Sequence, residues 1–102
     1  MLFMIESKHS PEVCPLVNQA SREKLISANQ RLSDVTKALG VSVLGSWVDM
    51  PAHIIFMLVD APKPEALGKM AVDLHLIDWN TSIIHPIGTM QDAMAVLQQQ
   101  KK

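Results

Sequence analysis

The chain opens with apolar and polar side chains that alternate over residues 2–8. Phe3 and Ile5 fall on one side of an extended chain, and Met4 and Glu6 fall on the other. Because successive side chains of a strand point to opposite faces, this period of two predicts a strand with one buried face.

Three later runs of apolar and β-branched residues are also predicted to be strands, at residues 41–50, 53–59 and 81–87. The run at 53–59 is apolar at every position after its first residue. An unbroken apolar run is typical of an interior strand that is covered on both faces. We therefore expect residues 53–59 to lie inside the sheet.

A long amphipathic helix is predicted over residues 16–39, where apolar residues recur mostly at intervals of three and four. Gly40 supplies its C-terminal stop. Ser33 followed by Asp34 offers an internal cap, so the helix could also form as two pieces.

The start of this helix has two interpretations. Ser10 suits an N-cap, Pro11 suits the first helical position, and Glu12 suits the first turn, which together favour an early start. Pro15 would disturb that first turn, so a short turn followed by a helix that begins near Pro15 is the alternative.

A second amphipathic helix is predicted over residues 65–76, and a short C-terminal helix over residues 88–98. The resulting order, β-α-β-β-α-β followed by a short helix, predicts an α+β fold of the ferredoxin-like type. Right-handed crossovers then give an antiparallel sheet in the order 4-1-3-2, with both main helices on one face. The other face is bare, and packing two such sheets together as a dimeric α+β barrel would cover it.

Size and composition fit one domain. The chain has 102 residues, of which 48% are hydrophobic and 19% charged, as in ordinary globular proteins. We expect the domain to span residues 1–98 and residues 99–102 to form a polar tail. A domain of this size buries only about two thirds of its unfolded surface, so a second copy would add stability, and we expect a homodimer.

Charge and hydropathy limit the partners and the location. The formal net charge is −1, and the basic residues form no stripe, so we expect no nucleic-acid partner. The longest apolar run, residues 54–59, is far shorter than the roughly 20 residues that cross a bilayer, and the first residues lack the basic region of a signal peptide. Cys14 is the only cysteine, which suits a reducing compartment. We expect a cytoplasmic protein with no membrane partner.

Five segments resemble an uncharacterised domain-of-unknown-function family: residues 45–49 (GSWVD), 56–61 (FMLVDA), 66–67 (AL), 79–80 (WN) and 83–87 (IIHPI). That family lies in the dimeric α+β barrel superfamily, so the resemblance, which spans most of the chain after residue 40, implies this fold and a dimer. It implies no single activity, because the superfamily includes haem-degrading monooxygenases, quinol-forming monooxygenases, small isomerases and proteins with no known reaction.

The chain departs from that family pattern at two places. Members usually carry further tryptophans near the positions of His75 and Leu76, and they usually have no histidine at the position of His85. If these positions line a pocket, the resemblance implies that the pocket of this chain carries histidines that can coordinate a metal, where the pockets of its relatives carry aromatic side chains.

The predicted topology brings six potential ligand side chains to one end of the sheet: His9, Cys14, Asp49, His53, His75 and Asp78. Imidazole with thiolate or carboxylate is the ligand set that suits zinc, copper, nickel or iron. We therefore predict a transition metal or metal cofactor held by His9, His53, His75 or His85. The alternative is that these are ordinary surface and capping residues, since no HExxH or paired CxxC motif supports a metal site.

His85 lies between Ile83 and Ile87 inside the predicted last strand, so the three side chains share a face. A hydrogen-bonded core histidine is one interpretation, and a general base is another. If Ser82 paired near Ser10, His85 could also approach His9 and share a haem or a metal ion with it.

Glu6 is predicted to point into the helix-free face of a central strand. A desolvated carboxylate there would suit proton transfer, which makes Glu6 and His85 candidate catalytic residues. The alternative for Glu6 is a salt bridge, either with Lys8 or with a residue of a second subunit.

Cys14 and Trp47 are the candidate cofactor-binding residues. Cys14 lies near a predicted helix start and near His9, which are the usual activators of a thiolate, but a buried inert cysteine is the alternative. Trp47 could be a stacking platform for a ligand or a packing residue of the sheet.

Three functions remain open at this point. The first is a homodimer that binds a transition metal or haem through its histidines. The second is a cofactor-independent monooxygenase or isomerase that acts on a small organic substrate, with Glu6 and His85 as acid and base. The third is a non-catalytic subunit that senses a ligand or binds a partner.

Overall fold

The computed structural model describes residues 1–100 and has four strands and three α-helices. In chain order these are β1 (Leu2–Lys8), α1 (Gln19–Leu39), β2 (Ser42–Asp49), β3 (Ile54–Asp60), α2 (Pro64–Asp73), β4 (Thr81–Ile87) and α3 (Met90–Gln100). Single turns of 3-10 helix occupy Pro11–Val13 and Leu76–Asp78. The predicted order of elements is confirmed. Of the predicted tail at residues 99–102, the last two residues lie outside the described part of the chain.

The four strands form one antiparallel sheet in the order β2-β3-β1-β4, as predicted. β1 is central, and its Phe3 lies opposite Val59 of β3 and Pro86 of β4. The α+β ferredoxin-like arrangement expected from the sequence is therefore present.

α1 begins later than the apolar periodicity predicts. The chain first turns at Cys14, whose carbonyl accepts hydrogen bonds from the N–H groups of Val17 and Asn18 at 3.0 and 2.8 Å. Asn18 is then the N-cap, and its Oδ1 accepts a hydrogen bond from the N–H of Ser21 at 3.0 Å. Of the two predicted starts, the later one is closer, and α1 runs without a break through Ser33.

α2 ends earlier than predicted, at Asp73 rather than at residue 76. His75 adopts a left-handed backbone conformation with φ 57°, which α-helical hydrogen bonding cannot continue through. The following Leu76–Asp78 turn leads directly into β4.

The hydrophobic core lies between one face of the sheet and the helices α1 and α2. Its most deeply buried side chains, each less than 2% exposed, are Phe3, Val59, Leu67, Met70 and Leu74. Strands supply the first two and the α2 segment supplies the other three, while α1 contributes Ala28. We call this side of the sheet the core face.

The opposite side of the sheet, here called the open face, carries the side chains that alternate with the core. They include Met4, Glu6, Trp47, Phe56, Leu58, Ile83 and His85. Trp47 and Ile83 are 54% and 53% exposed. The open face is thus apolar for most of its area and is only partly shielded from water.

All residues of α3 are exposed, so this helix does not pack into the core. The radius of gyration is 15.7 Å, against about 13 Å expected for a compact chain of this length. Within residues 1–100, no helix combines the length and the apolar character needed to cross a membrane.

Candidate metal centre

Three side chains of ligand type meet at the end of β1: His9, Cys14 and His53. One ligand atom from each lies within 4.8 Å of those of the other two. His9 and Cys14 are buried, and His53 is half-buried. The sequence predicted that these residues share one rim of the sheet, and the structure brings all three together.

Local backbone geometry positions each of the three. His9 continues the core-facing positions of β1, and its N–H donates to the carbonyl of His53 at 3.1 Å, so two of the candidate ligands are joined by a backbone hydrogen bond. Cys14 closes the 3-10 turn that begins at Pro11, through an N–H bond of 3.3 Å to the Pro11 carbonyl. The reversal of the chain after β1 thus carries the thiol back towards the imidazoles.

His53 has a positive φ of 58°, at the turn between β2 and β3. Its N–H donates to the carbonyl of Met50 at 3.2 Å, which closes that turn. A left-handed conformation is uncommon for residues other than glycine and is often found at functional sites. The strained residue here is also the one that completes the cluster.

Asn80 fixes the orientation of the His9 ring. Its Nδ2 donates to the carbonyl of Leu76 at 3.1 Å, so its Oδ1 is the atom that lies 3.3 Å from His9 Nδ1. Because an amide oxygen only accepts, His9 Nδ1 carries the proton and Nε2 has a free lone pair. A carbonyl oxygen that holds the second nitrogen of a histidine is the usual outer shell of a metal ligand.

Two ring nitrogens in the cluster have no hydrogen-bond partner among residues 1–100. They are Nε2 of His9 and Nδ1 of His53, and both are buried. Buried polar atoms are satisfied in the great majority of cases, so two unsatisfied nitrogens in one cluster require an explanation. A shared metal ion is one that accounts for both.

Burial lowers the pKa of His9 below its ordinary value of 6.5. The hydrogen bond with Asn80 opposes this effect, and the neighbouring His53 adds to it. Metal coordination requires a neutral imidazole, so the environment of His9 favours the protonation state that binds metal at neutral pH.

Trp79 forms a wall of the cluster. Its ring centroid lies 5.2 Å from that of His9, and only 7% of the residue is exposed. His9 also contacts the His53 ring edge to face, at a centroid distance of 5.3 Å. Neither Trp79 nor Asn80 was predicted from the sequence to belong to this site. The register of β1 against β4 would have indicated Asn80. Lys8 pairs with Thr81 in this antiparallel pair, so His9, which follows Lys8, and Asn80, which precedes Thr81, must be neighbours.

The other residues predicted for this rim lie outside the ligand group. Asp49 Oδ1 accepts a hydrogen bond from the N–H of Ala52 at 3.1 Å. His75 is exposed and lies 3.3 Å from Asp78. A Lys24 ion pair at 3.2 Å holds the pKa of Asp78 below its usual value. These three side chains have local structural roles.

His85 does not approach His9, so the prediction that they could share a haem or a metal ion is wrong. Ser82 pairs with Ser7 and not near Ser10, which places His85 opposite Met4. His85 therefore belongs to the open face, whereas His9 continues the core face.

Glu6 and His85 do lie together, with Glu6 Oε2 at 3.2 Å from His85 Nε2. The predicted position of Glu6 on the helix-free face is correct, but its partner is His85 and not Lys8. Trp47 lies on the same face, where its indole folds back over Gly45 so closely that a Cβ there would collide with it.

The sequence profile of a domain of unknown function, DUF3303, matches residues 1–101. The chain belongs to this family. The DUF3303 match agrees with the resemblance found in the sequence, and the fold is compatible with the dimeric α+β barrel superfamily. No curated protein matches the chain.

Proposed function

We propose that this DUF3303 protein is a small homodimer that binds a transition metal ion through His9 Nε2, Cys14 Sγ and His53 Nδ1. The observation that carries this proposal is that one ligand atom each of His9, Cys14 and His53 lies within 4.8 Å of the other two, and that each imidazole has a buried nitrogen without a hydrogen-bond partner. The orientation of His9 by Asn80 supports it, because metal-binding histidines usually donate their second nitrogen in this way.

Zinc and copper are the metals that fit this donor set best. Two imidazoles and one thiolate form a mixed nitrogen and sulfur site of the kind both ions prefer. Tetrahedral zinc keeps such ligands about 3.5 Å apart, so the widest pair in the cluster would have to approach by about 1 Å. Three protein ligands leave the fourth position of a tetrahedral ion for water or a small molecule. A thiolate ligand also suits a reducing compartment such as the cytoplasm.

Haem is a poorer candidate than a single ion. Trp79 packs on one side of the His9 ring and His53 contacts its edge. The space at the cluster therefore suits a single ion and is too small for a porphyrin. His85 cannot act as the opposite axial ligand, since it lies on the open face. The proposal is therefore restricted to a metal ion bound directly by side chains.

The test is metal stoichiometry. Protein incubated with zinc and then desalted should retain one ion per chain by elemental analysis, and zinc should raise its melting temperature. The variants His9→Gln, Cys14→Ser and His53→Asn should each lose the bound ion. Asparagine is chosen at His53 because it tolerates the left-handed conformation.

His85→Gln is the matched control, because it removes an imidazole that lies outside the cluster. It should retain zinc as the native chain does. Absence of bound zinc or copper in the native chain, with no change in melting temperature, would refute the proposed function. So would retention of zinc by all three ligand variants.

The homodimer in this proposal is supported by the open face. Apolar side chains such as Phe56 and Leu58 are only half-buried there, and Ile83 is more than half exposed. A second copy that packs its own open face against this surface would cover them by two-fold symmetry. α3 carries further exposed apolar side chains, including Met90 and Leu97, that such a dimer could use.

One observation favours a second function. The Glu6–His85 contact pairs a carboxylate with an imidazole on the open face, which in a dimer would line the space between the two sheets. Such a pair could transfer a proton to or from a small organic substrate, as a cofactor-independent monooxygenase or isomerase requires. Turnover of such a substrate that survives chelation and is lost in Glu6→Gln would favour this function. Equal turnover by the native and Glu6→Gln proteins would exclude a role for this pair.

A further inference from the structure

A cavity of about 580 Å³ lies between the core face of the sheet and the helices α1 and α2. Ligand pockets usually have volumes of about 300 to 1,000 Å³. Its walls are mostly aliphatic and include Ile5 and Met57 from the sheet, Leu32 from α1, and Met70 from α2. None of the residues discussed as metal ligands lines it.

Among residues 1–100, no charged side chain lines this cavity. A charged ligand that entered it would lose its hydration without gaining an ionic partner, which is strongly unfavourable. Asn29 and Gln30, which also line it, are exposed and lie where water is available. The occupant that suits the interior is therefore neutral and largely apolar.

Ser7 and Ser82 place one polar feature in this apolar lining. Their hydroxyl oxygens are 2.8 Å apart, and Ser7 is only 6% exposed. One of the two hydroxyl protons is used in the bond between them. The other has no acceptor among the hydrogen bonds of residues 1–100, so the pair offers one donor to a ligand.

We infer that this cavity binds a neutral, largely apolar organic molecule with one hydrogen-bond acceptor, such as a ketone, that meets the Ser7–Ser82 hydroxyl pair. The inference does not depend on the metal centre, which uses other residues.

The test uses the neutral fluorophore N-phenyl-1-naphthylamine, with a chelator present so that metal binding plays no part. The fluorophore should bind saturably to the native protein. Ala71→Phe projects a ring from α2 into the cavity and should weaken binding at least tenfold. The matched control is Val72→Phe, which adds the same ring at the next position of α2, at a residue that does not line the cavity and is 52% exposed.

Ala28→Leu fills the same space from α1 and serves if Ala71→Phe does not fold. Equal binding by the native chain and a folded cavity-filling variant would overturn the inference. The inference would also be overturned if a cavity-filling variant changed the oligomeric state but left fluorophore binding intact. The cavity would then be occupied by part of a second copy.

The hydroxyl pair is tested by displacing the fluorophore with benzophenone or with diphenylmethane, which has a methylene in place of the carbonyl. The double variant Ser7→Ala/Ser82→Ala removes both hydroxyl donors and should weaken benzophenone binding about three- to tenfold, the usual effect of one hydrogen bond. It should leave diphenylmethane binding unchanged. The same change for both molecules would show that the hydroxyl pair does not recognise the ligand.

Discussion

His9 connects three features of the site, because it is buried, oriented by Asn80 and packed against Trp79. Each feature constrains the ring differently. Burial favours the neutral form, the amide selects the tautomer, and the indole fixes the plane of the ring. The residue is thus preorganised, and its Nε2 is left without a hydrogen-bond partner among residues 1–100.

Asn80→Ala tests this preorganisation. Loss of the amide oxygen frees the ring and its tautomer, and outer-shell changes of this kind typically lower metal affinity about 10- to 100-fold. Competition with a chromophoric chelator measures the zinc affinity. The control is Asn29→Ala, an exposed asparagine on α1, which should match the native chain. An unchanged affinity in Asn80→Ala would show that Asn80 does not support a metal ligand.

The lowered pKa of His9 predicts how stability depends on pH without metal. Below about pH 6.5 the unfolded chain binds a proton at His9 that the folded chain does not, so the free energy of unfolding should decrease as the pH falls. Urea titrations between pH 8 and pH 5, with a chelator present, measure this. His9→Gln lacks this titration, so the stability difference between native and variant should shrink towards acid pH. Parallel curves for the two proteins would contradict the assignment.

At the scale of single residues, the sequence predicted the candidate metal ligands better than the residues that surround them. His9, Cys14 and His53 were placed together because strand ends and helix starts share a rim, which needs only the topology. Asn80 was missed because its position depends on the register of β4 against β1, and period-two patterns do not determine that register. The same unknown register led to the prediction that His85 could approach His9.

α1 is the element whose start positions Cys14. Its Asn18 cap lies four residues after the thiol, and Asn18 Nδ2 also donates to the Glu12 carbonyl at 3.3 Å. The cap therefore ties the helix to the turn that carries Cys14. The capping signals at Ser10, Pro11 and Glu12 favoured an earlier start, but the turn at Cys14 delays the helix to Gln19.

Asn18→Ala should lower the free energy of unfolding by about 1 kcal/mol, because the N–H of Ser21 loses its side-chain acceptor. Urea denaturation measures the change. Asn18→Asp keeps the acceptor oxygen and should remain close to the native stability. Equal losses in the two variants would show that the capping bond is not the cause.

Strands and helices were predicted in the right order because their apolar periods differ, and most boundaries fell within three residues. The two ends that moved furthest, by three residues each, are the start of α1 and the end of α2. The turn at Cys14 delays the first and the positive φ of His75 ends the second, and the apolar periodicity encodes neither. Histidine is one of the residues enriched in the left-handed region, but the pattern does not show which histidines adopt it.

The whole molecule has three candidate sites, which are divided between the two sides of the sheet. The metal cluster and the cavity lie on the core side, while the Glu6–His85 pair lies on the open face with Ile83. A dimer formed through the open face would enclose the Glu6–His85 pair and leave the cluster and the cavity within each chain. Metal binding and dimerisation should therefore be separable by substitution.

Ile83→Glu tests this separation. A carboxylate on the open face should convert a dimer, with twice the 11.3 kDa mass of one chain, into monomers by analytical ultracentrifugation. The control is Val72→Glu on α2, where the original side chain is similarly exposed, and it should stay dimeric. Both variants should still bind zinc. A native protein that is monomeric at all concentrations would exclude the dimer.

The most direct measurement of the proposed metal centre is the absorption spectrum of the protein with one equivalent of Co²⁺. A site of two imidazoles and a thiolate should give intense visible bands of four-coordinate cobalt together with a sulfur-to-cobalt charge-transfer band. Cys14→Ser should abolish the charge-transfer band, and His85→Gln should leave the spectrum unchanged. The weak spectrum of hydrated cobalt in the native protein would contradict a metal centre at His9, Cys14 and His53.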